Sequence, residues 1–130
     1  MKFLIAGLGS IGQRHLNNLL ALGERDVIIY RTQHSTLPDA GREDFPVFTD
    51  LSDALAVQPD AVIISNPTAL HLSVALPAAE AGCHLLMEKP VSHQLDEDVE
   101  KLRKVVAEKK LKTLVGFQFR FHPVLAEVRR

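Results

Sequence analysis

The stretch Phe3–Gly23, FLIAGLGSIGQRHLNNLLALG, decides the fold of this 130-residue chain. Phe3, Leu4, Ile5 and Ala6 are apolar without alternation, the pattern of a strand buried on both faces of a parallel sheet. Gly7, Gly9 and Gly12 follow at once as G-x-G-x-x-G, and Ile11, Leu16, Leu19 and Leu20 then recur at helical intervals with His15, Asn17 and Asn18 opposite. Strand, glycine turn and helix in this order make an anion site. One glycine permits the turn, the second lets the backbone approach a pyrophosphate with no Cβ between, and the third lets helix and strand pack closely. The backbone of Gly7, Gly9, Ser10, Ile11 and Gly12, with the positive end of the helix dipole behind it, is the expected phosphate cradle.

Moving outward, the first helix ends near Gly23 and Val27–Tyr30 form a second β-branched, apolar strand. A dinucleotide fold of the NAD type usually carries a carboxylate at the tip of this strand, to bind the adenosine ribose. Here the tip reads Tyr30, Arg31, Thr32, and Asp26 lies at the wrong end. Arg31 is suited to a 2′-phosphate, with Thr32 and Ser35 as hydrogen-bond donors, which favours NADP over NAD; the alternative is a solvated cation beside an NAD site.

Gln33 to Pro46 reads as a long polar loop, Val47 and Phe48 as a short strand, and Asp50 to Val57 as a helix capped by Asp50 or Ser52. Ala61–Ile64 form another buried strand, closed by Ser65, Asn66 and Pro67, and Thr68 opens a helix with Leu72, Ala75, Leu76 and Ala79 on its inner side. His71 either faces a ligand or caps the first turn of that helix. His84–Met87 are the fifth strand and lead into Glu88, Lys89 and Pro90. Glu88 and Lys89 taken locally suggest a surface ion pair, and a catalytic Lys89 is the sharper alternative. A helix with Leu95, Val99, Leu102 and Val106 on one side precedes a sixth strand at Lys112–Val115. Strands alternating with helices predict an α/β fold, doubly wound, with a mostly parallel six-stranded sheet.

Composition narrows the function. A net charge of −1 gives no electrostatic case for nucleic acid or an anionic membrane. No apolar run reaches the roughly 20 residues that span a bilayer, the start of the chain does not read as a signal peptide, and the lone Cys83 suits a reducing, cytoplasmic setting. His15, His34, His71, His84, His93 and His122 are scattered, so no metal site is expected, and a hydrolase elbow G-x-S-x-G is absent.

Three motifs in order, GLGSIGQRH at Gly7–His15, SNPTALH with AGCHLLMEKPVS across Ser65–Ser92, and GFQFRFHP at Gly116–Pro123, resemble the nucleotide-binding half of the Gfo/Idh/MocA oxidoreductases. The resemblance implies a Rossmann domain over residues 1–120, followed at 121–130 by the start of a link toward a substrate domain that PVLAEVRR would open. It implies hydride transfer between NAD or NADP and a hydroxylated sugar-like or cyclitol-like substrate, with Lys89 at the reacting hydroxyl and Glu88 along the nicotinamide end. Ser65, Asn66, Pro67 and His71 would line the cofactor, and Gln118 and Arg120 would approach from the interdomain link. The full-length protein would be a homo-oligomer, and these residues alone would bind cofactor without turnover. The competing expectation is a nucleotide-sensing module without chemistry, which has no use for a lysine at the fifth strand tip.

Overall fold

The computed structural model describes residues 1–32 and 44–128. Six strands, β1 (Phe3–Ala6), β2 (Val27–Tyr30), β3 (Val47–Phe48), β4 (Ala61–Ile64), β5 (His84–Met87) and β6 (Thr113–Val115), form one sheet in the order β3-β2-β1-β4-β5-β6. Every pairing is parallel, so the sheet is wholly and not mostly parallel. The chain leaves β1 in one direction to build β2 and β3, then returns past it to build β4, β5 and β6. The reversal between β1 and β4 is the switch point at which open α/β sheets bind ligands.

The helices are α1 (Ser10–Ala21), α2 (Leu51–Ala56), α3 (His71–Glu80), α4 (Glu97–Glu108) and α5 (Pro123–Val128). Leu16 and Leu19 of α1 pack with Ile5, Val27, Ile29 and Ile63 on one face of the sheet. On the other face Ala54 of α2, Val74, Ala75, Ala78 and Ala79 of α3 and Leu102 of α4 pack with Leu4, Ile28, Val62, Ile64 and Met87. Alternate residues of β1 thus enter opposite cores, which is why no polar residue interrupts the strand. Leu4 and Ile5 are completely buried, a contribution of about 1.5–3 kcal/mol each.

Two helix readings need correction. Ile11 is 41% exposed, and the buried stripe of α1 is Gly12, Leu16 and Leu19. Leu95 is 95% exposed, because it precedes Asp96, whose carboxylate accepts from the amides of Asp98 and Val99 and starts α4 only there. Asp50, one of the two residues read as the cap of α2, accepts from the amides of Ser52 and Asp53. Those bonds, led by the one from the Ser52 hydroxyl, hold the Asp50 carboxyl below the ordinary carboxylate value. Ser35, and the loop from Gln33 up to residue 43, lie outside the described residues. Among the described residues no helix is long and apolar enough to cross a membrane, and no cluster of metal-ligating side chains occurs.

Candidate cofactor cleft at the switch point

The three motif glycines serve different purposes. Gly7 has φ +89°, a region that side chains rarely adopt, and a Cβ there would lie 2.7 Å from the backbone of Asn66. At Gly12 a Cβ would lie 2.0 Å from the carbonyl oxygen of Gly7, so this glycine lets α1 close onto the strand end. Gly9 is different: a Cβ there meets nothing within 4 Å. Its openness has no packing purpose and leaves the backbone bare above the turn.

Helix α1 begins beside this opening. Its first ladder bond is Gln13 N–H to Gly9 C=O at 2.9 Å, among the described residues no side chain caps it, and its first turn holds no acidic residue. The amides of Ser10, Ile11 and Gly12 therefore precede the helical ladder without a carboxylate to neutralise them, which is the electrostatic requirement for an anion. An open glycine over uncapped amides fits the pyrophosphate of a dinucleotide.

Neighbouring strand tips continue the site. Ser65 N–H donates to Ala6 C=O, Glu88 N–H to Ile64 C=O and Gly116 N–H to Met87 C=O, at 2.9, 2.9 and 2.8 Å. This ladder sets the ends of β1, β4, β5 and β6 side by side. The Ser65 hydroxyl donates to Gly7 C=O at 2.7 Å and locks the turn from β4, so it acts as a brace for the cradle. Asn66 gives its amide N–H to Leu70 C=O at 3.2 Å, while its Oδ1 is buried without a protein partner among the described residues.

Glu88 and Lys89 do not pair as the local reading suggests. Glu88 Oε1 stands 2.8 Å from His15 Nε2, with the two side chains 22% and 20% exposed, and its carboxylate lies over Gly116, where a Cβ would come within 3.0 Å of it. Lys89 is exposed and, among the described residues, has no ion pair. Its side chain is open to solvent just past the tip of β5. His71 is 1% exposed, and both ring nitrogens face backbone carbonyls. Pro67 is exposed beside it.

The remaining predicted residues flank this centre. Arg31 is half-buried just past β2, anchored by its N–H to Phe48 C=O at 3.0 Å, and Thr32 is exposed after it. Gln118 and Arg120 are exposed on a short 3-10 helix, Gln118–Phe121, beyond β6. His15 is the residue that sequence reasoning passed over by placing it on the polar side of α1. Its spacing of three from Gly12, the motif glycine that packs α1 against Gly7, is the signal that the sequence offers.

Comparison with known proteins agrees with this geometry. Residues 1–117 match the model of an oxidoreductase family with an NAD-binding Rossmann fold. Inositol 2-dehydrogenase of Corynebacterium glutamicum (strain ATCC 13032) is 35% identical over 97% of this chain and 39% of its own length. The WlbA dehydrogenase of Bordetella pertussis, solved with NADH and UDP-GlcNAcA, superposes with a TM-score of 0.85 at 30% identity, over 98% of this chain and 40% of that one. Scyllo-inositol dehydrogenase of Lactobacillus casei, solved with NAD(H) and scyllo-inositol, gives 0.79 at 31% identity, over 99% and 39%. The chain spans about two fifths of the length of such relatives. With the family match, the wholly parallel sheet and the glycine turn in agreement, this chain belongs to the Gfo/Idh/MocA oxidoreductase family as its NAD-binding Rossmann domain.

Proposed function

We propose that this chain is the cofactor-binding half of a dehydrogenase that moves a hydride between a nicotinamide dinucleotide and a hydroxylated sugar-like or cyclitol-like substrate. The observation that carries the reading is the exposed Lys89 at the same end of the sheet as the glycine turn, with the tips of β1, β4 and β5 laddered together. Relatives whose names specify inositol and UDP-N-acetylglucosamine support the substrate class.

The backbone of Gly7, Gly9, Ser10, Ile11 and Gly12 would hold the pyrophosphate, and Asn66, Pro67 and Glu88 would line the nicotinamide end, with Gln118 and Arg120 closing from the β6 side. Asn66 Oδ1, buried and unpartnered, is an acceptor suited to a ribose hydroxyl or a carboxamide. A bound nicotinamide supplies the hydride acceptor or donor. Lys89 Nζ takes the proton of the substrate hydroxyl when neutral, and when charged it stabilises the developing alkoxide. Arg31 and Thr32, in place of a carboxylate after β2, favour NADP over NAD. Residues 1–120 form the dinucleotide domain, and 121–130 lead toward a substrate domain. The exposed apolar side chains of Leu114, Phe117, Phe119, Val124 and Val128 at this end support that division.

The test is Lys89→Met in the natural polypeptide that carries this chain, assayed on myo-inositol, scyllo-inositol and UDP-N-acetylglucosamine, with NADH and NADPH titrated in parallel. The expected result is loss of kcat by about a hundredfold or more at unchanged cofactor affinity. Wild-type rates in the variant would point to a different proton carrier, and nucleotide binding without oxidation of any hydroxylated compound would point to a sensor. A tenfold preference for NADPH, about 1.4 kcal/mol, would assign Arg31 to the 2′-phosphate, and a preference for NADH would remove that assignment.

A further inference from the structure

His71 is, among the described residues, the buried polar side chain of the core. It opens α3, is 1% exposed, and places Nδ1 2.8 Å from the carbonyl oxygen of Pro90 and Nε2 2.9 Å from that of Asn66. These two carbonyls belong to different loops, the one following β4 and the one following β5. The ring donates from whichever nitrogen carries a proton and, when both do, to the two loops at once. An apolar residue of equal size would fill the same space and leave without a donor each carbonyl that a ring N–H serves, so packing alone does not account for an imidazole here.

The contacts converge around Lys89. On its N-terminal side Glu88 is held by His15 of α1 at 2.8 Å, and on its C-terminal side Pro90 is held by His71 of α3. Lys89 itself is exposed and has no ion pair among the described residues, so the direction of its side chain depends on how firmly its two neighbours are fixed. Proton transfer to or from a substrate hydroxyl is sensitive to displacements of about 1 Å, which can cost on the order of a hundredfold in rate.

We infer that His71 is a positioning residue that joins the β4 and β5 tips and so sets Lys89, through Pro90, against the Asn66 side of the cleft. This rests on the proposed proton-transfer role of Lys89. It takes His71 out of the cofactor-lining set and gives it a task that no contact with the ligand requires.

The experiment compares His71→Leu, His71→Gln and Lys89→Met in the natural polypeptide, with NADH as the binding probe. Amide hydrogen exchange is followed over residues 65–70, 88–91 and 7–12, together with rates on the three compounds named above. His71→Leu is expected to raise exchange at both tips together by about tenfold. It should leave the 7–12 turn as in wild type, keep the NADH affinity within about threefold and lower kcat by about tenfold or more. His71→Gln keeps a donor and recovers part of both losses, and it carries the test if the leucine variant does not fold. Exchange raised at only one tip, or at neither, overturns the inference. So does wild-type kcat in the His71 variants when Lys89→Met is inactive. Full activity of Lys89→Met overturns the catalytic reading of the lysine instead, and exchange then decides alone whether His71 couples the tips. Exchange also decides alone if none of the three compounds is turned over.

Discussion

At the tip of β1 the groups proposed to bind are backbone amides, left open by the absence of side chains at Gly7, Gly9 and Gly12. At the tip of β5 the group proposed to act is one exposed side chain, Lys89, whose neighbours are held by histidines from two different helices. The first region is built mainly from residues close together in the sequence, with Ser65 bracing it from β4. The second draws His15 from 73 positions before Glu88 and His71 from 19 before Pro90. Anion binding needs only a bare, rigid backbone at a helix start, which a local sequence can encode. Proton transfer needs a titratable atom at a defined place, which only packed neighbours from distant segments can secure.

The comparison breaks most visibly at Gly12. Gly12→Ala forces a Cβ against Gly7 C=O at 2.0 Å, backbone against backbone, and should cost about 3 kcal/mol in a urea unfolding titration. A variant as stable as wild type would show that the turn and α1 do not need their present close approach. Gly9→Ala sharpens the contrast. With nothing within 4 Å of its Cβ it should change stability by no more than about 0.5 kcal/mol. It should nevertheless weaken NADH binding about tenfold, or roughly 1.4 kcal/mol, because the methyl group stands where the phosphates approach. Unchanged affinity would move the pyrophosphate away from this turn.

His15→Ala probes the link between the two regions. It leaves the half-buried Glu88 carboxylate without its 2.8 Å partner and should cost about 1 kcal/mol in thermal or denaturant unfolding. The same variant should raise amide exchange around Glu88 while leaving the 7–12 turn as in wild type. Equal loosening at both places would mean that α1 and the β5 tip move as one unit, and the distinction drawn above would not hold.

Much of the architecture was legible. The strands read at Phe3–Ala6, Val27–Tyr30, Ala61–Ile64 and His84–Met87 coincide with those observed, because burial on both faces of a parallel sheet selects mainly apolar residues between the turns. The errors came where a hydrophobic residue stands outside the element, or off the buried face, that its spacing suggests. Leu95 fits the stripe of α4 by period, yet the Asp96 cap excludes it from the helix. Ile11 fits the stripe of α1, yet the first turn of that helix lies at the cleft mouth and not against the core.

The site divided differently. Gly7, Gly9 and Gly12 could be read from order alone: Gly7 combines a positive φ with a contact too short for a Cβ, Gly12 has such a contact, and Gly9 is open. Nothing in the spacing of Glu88 and Lys89 tells that the glutamate turns to His15 and leaves the lysine without an ion pair among the described residues. Nor does the position of His71 tell that its ring is buried between two loops. Such facts follow from the strand order, which brings the ends of β1, β4, β5 and β6 into one row and stands α1 and α3 beside them. The sequence by itself determined where the chain extends, coils and turns, because those choices rest on local sterics and on which faces are apolar. Tertiary structure alone decided which side chains meet at the strand ends, because a hydrogen bond between distant segments exists only once the sheet has set their separation.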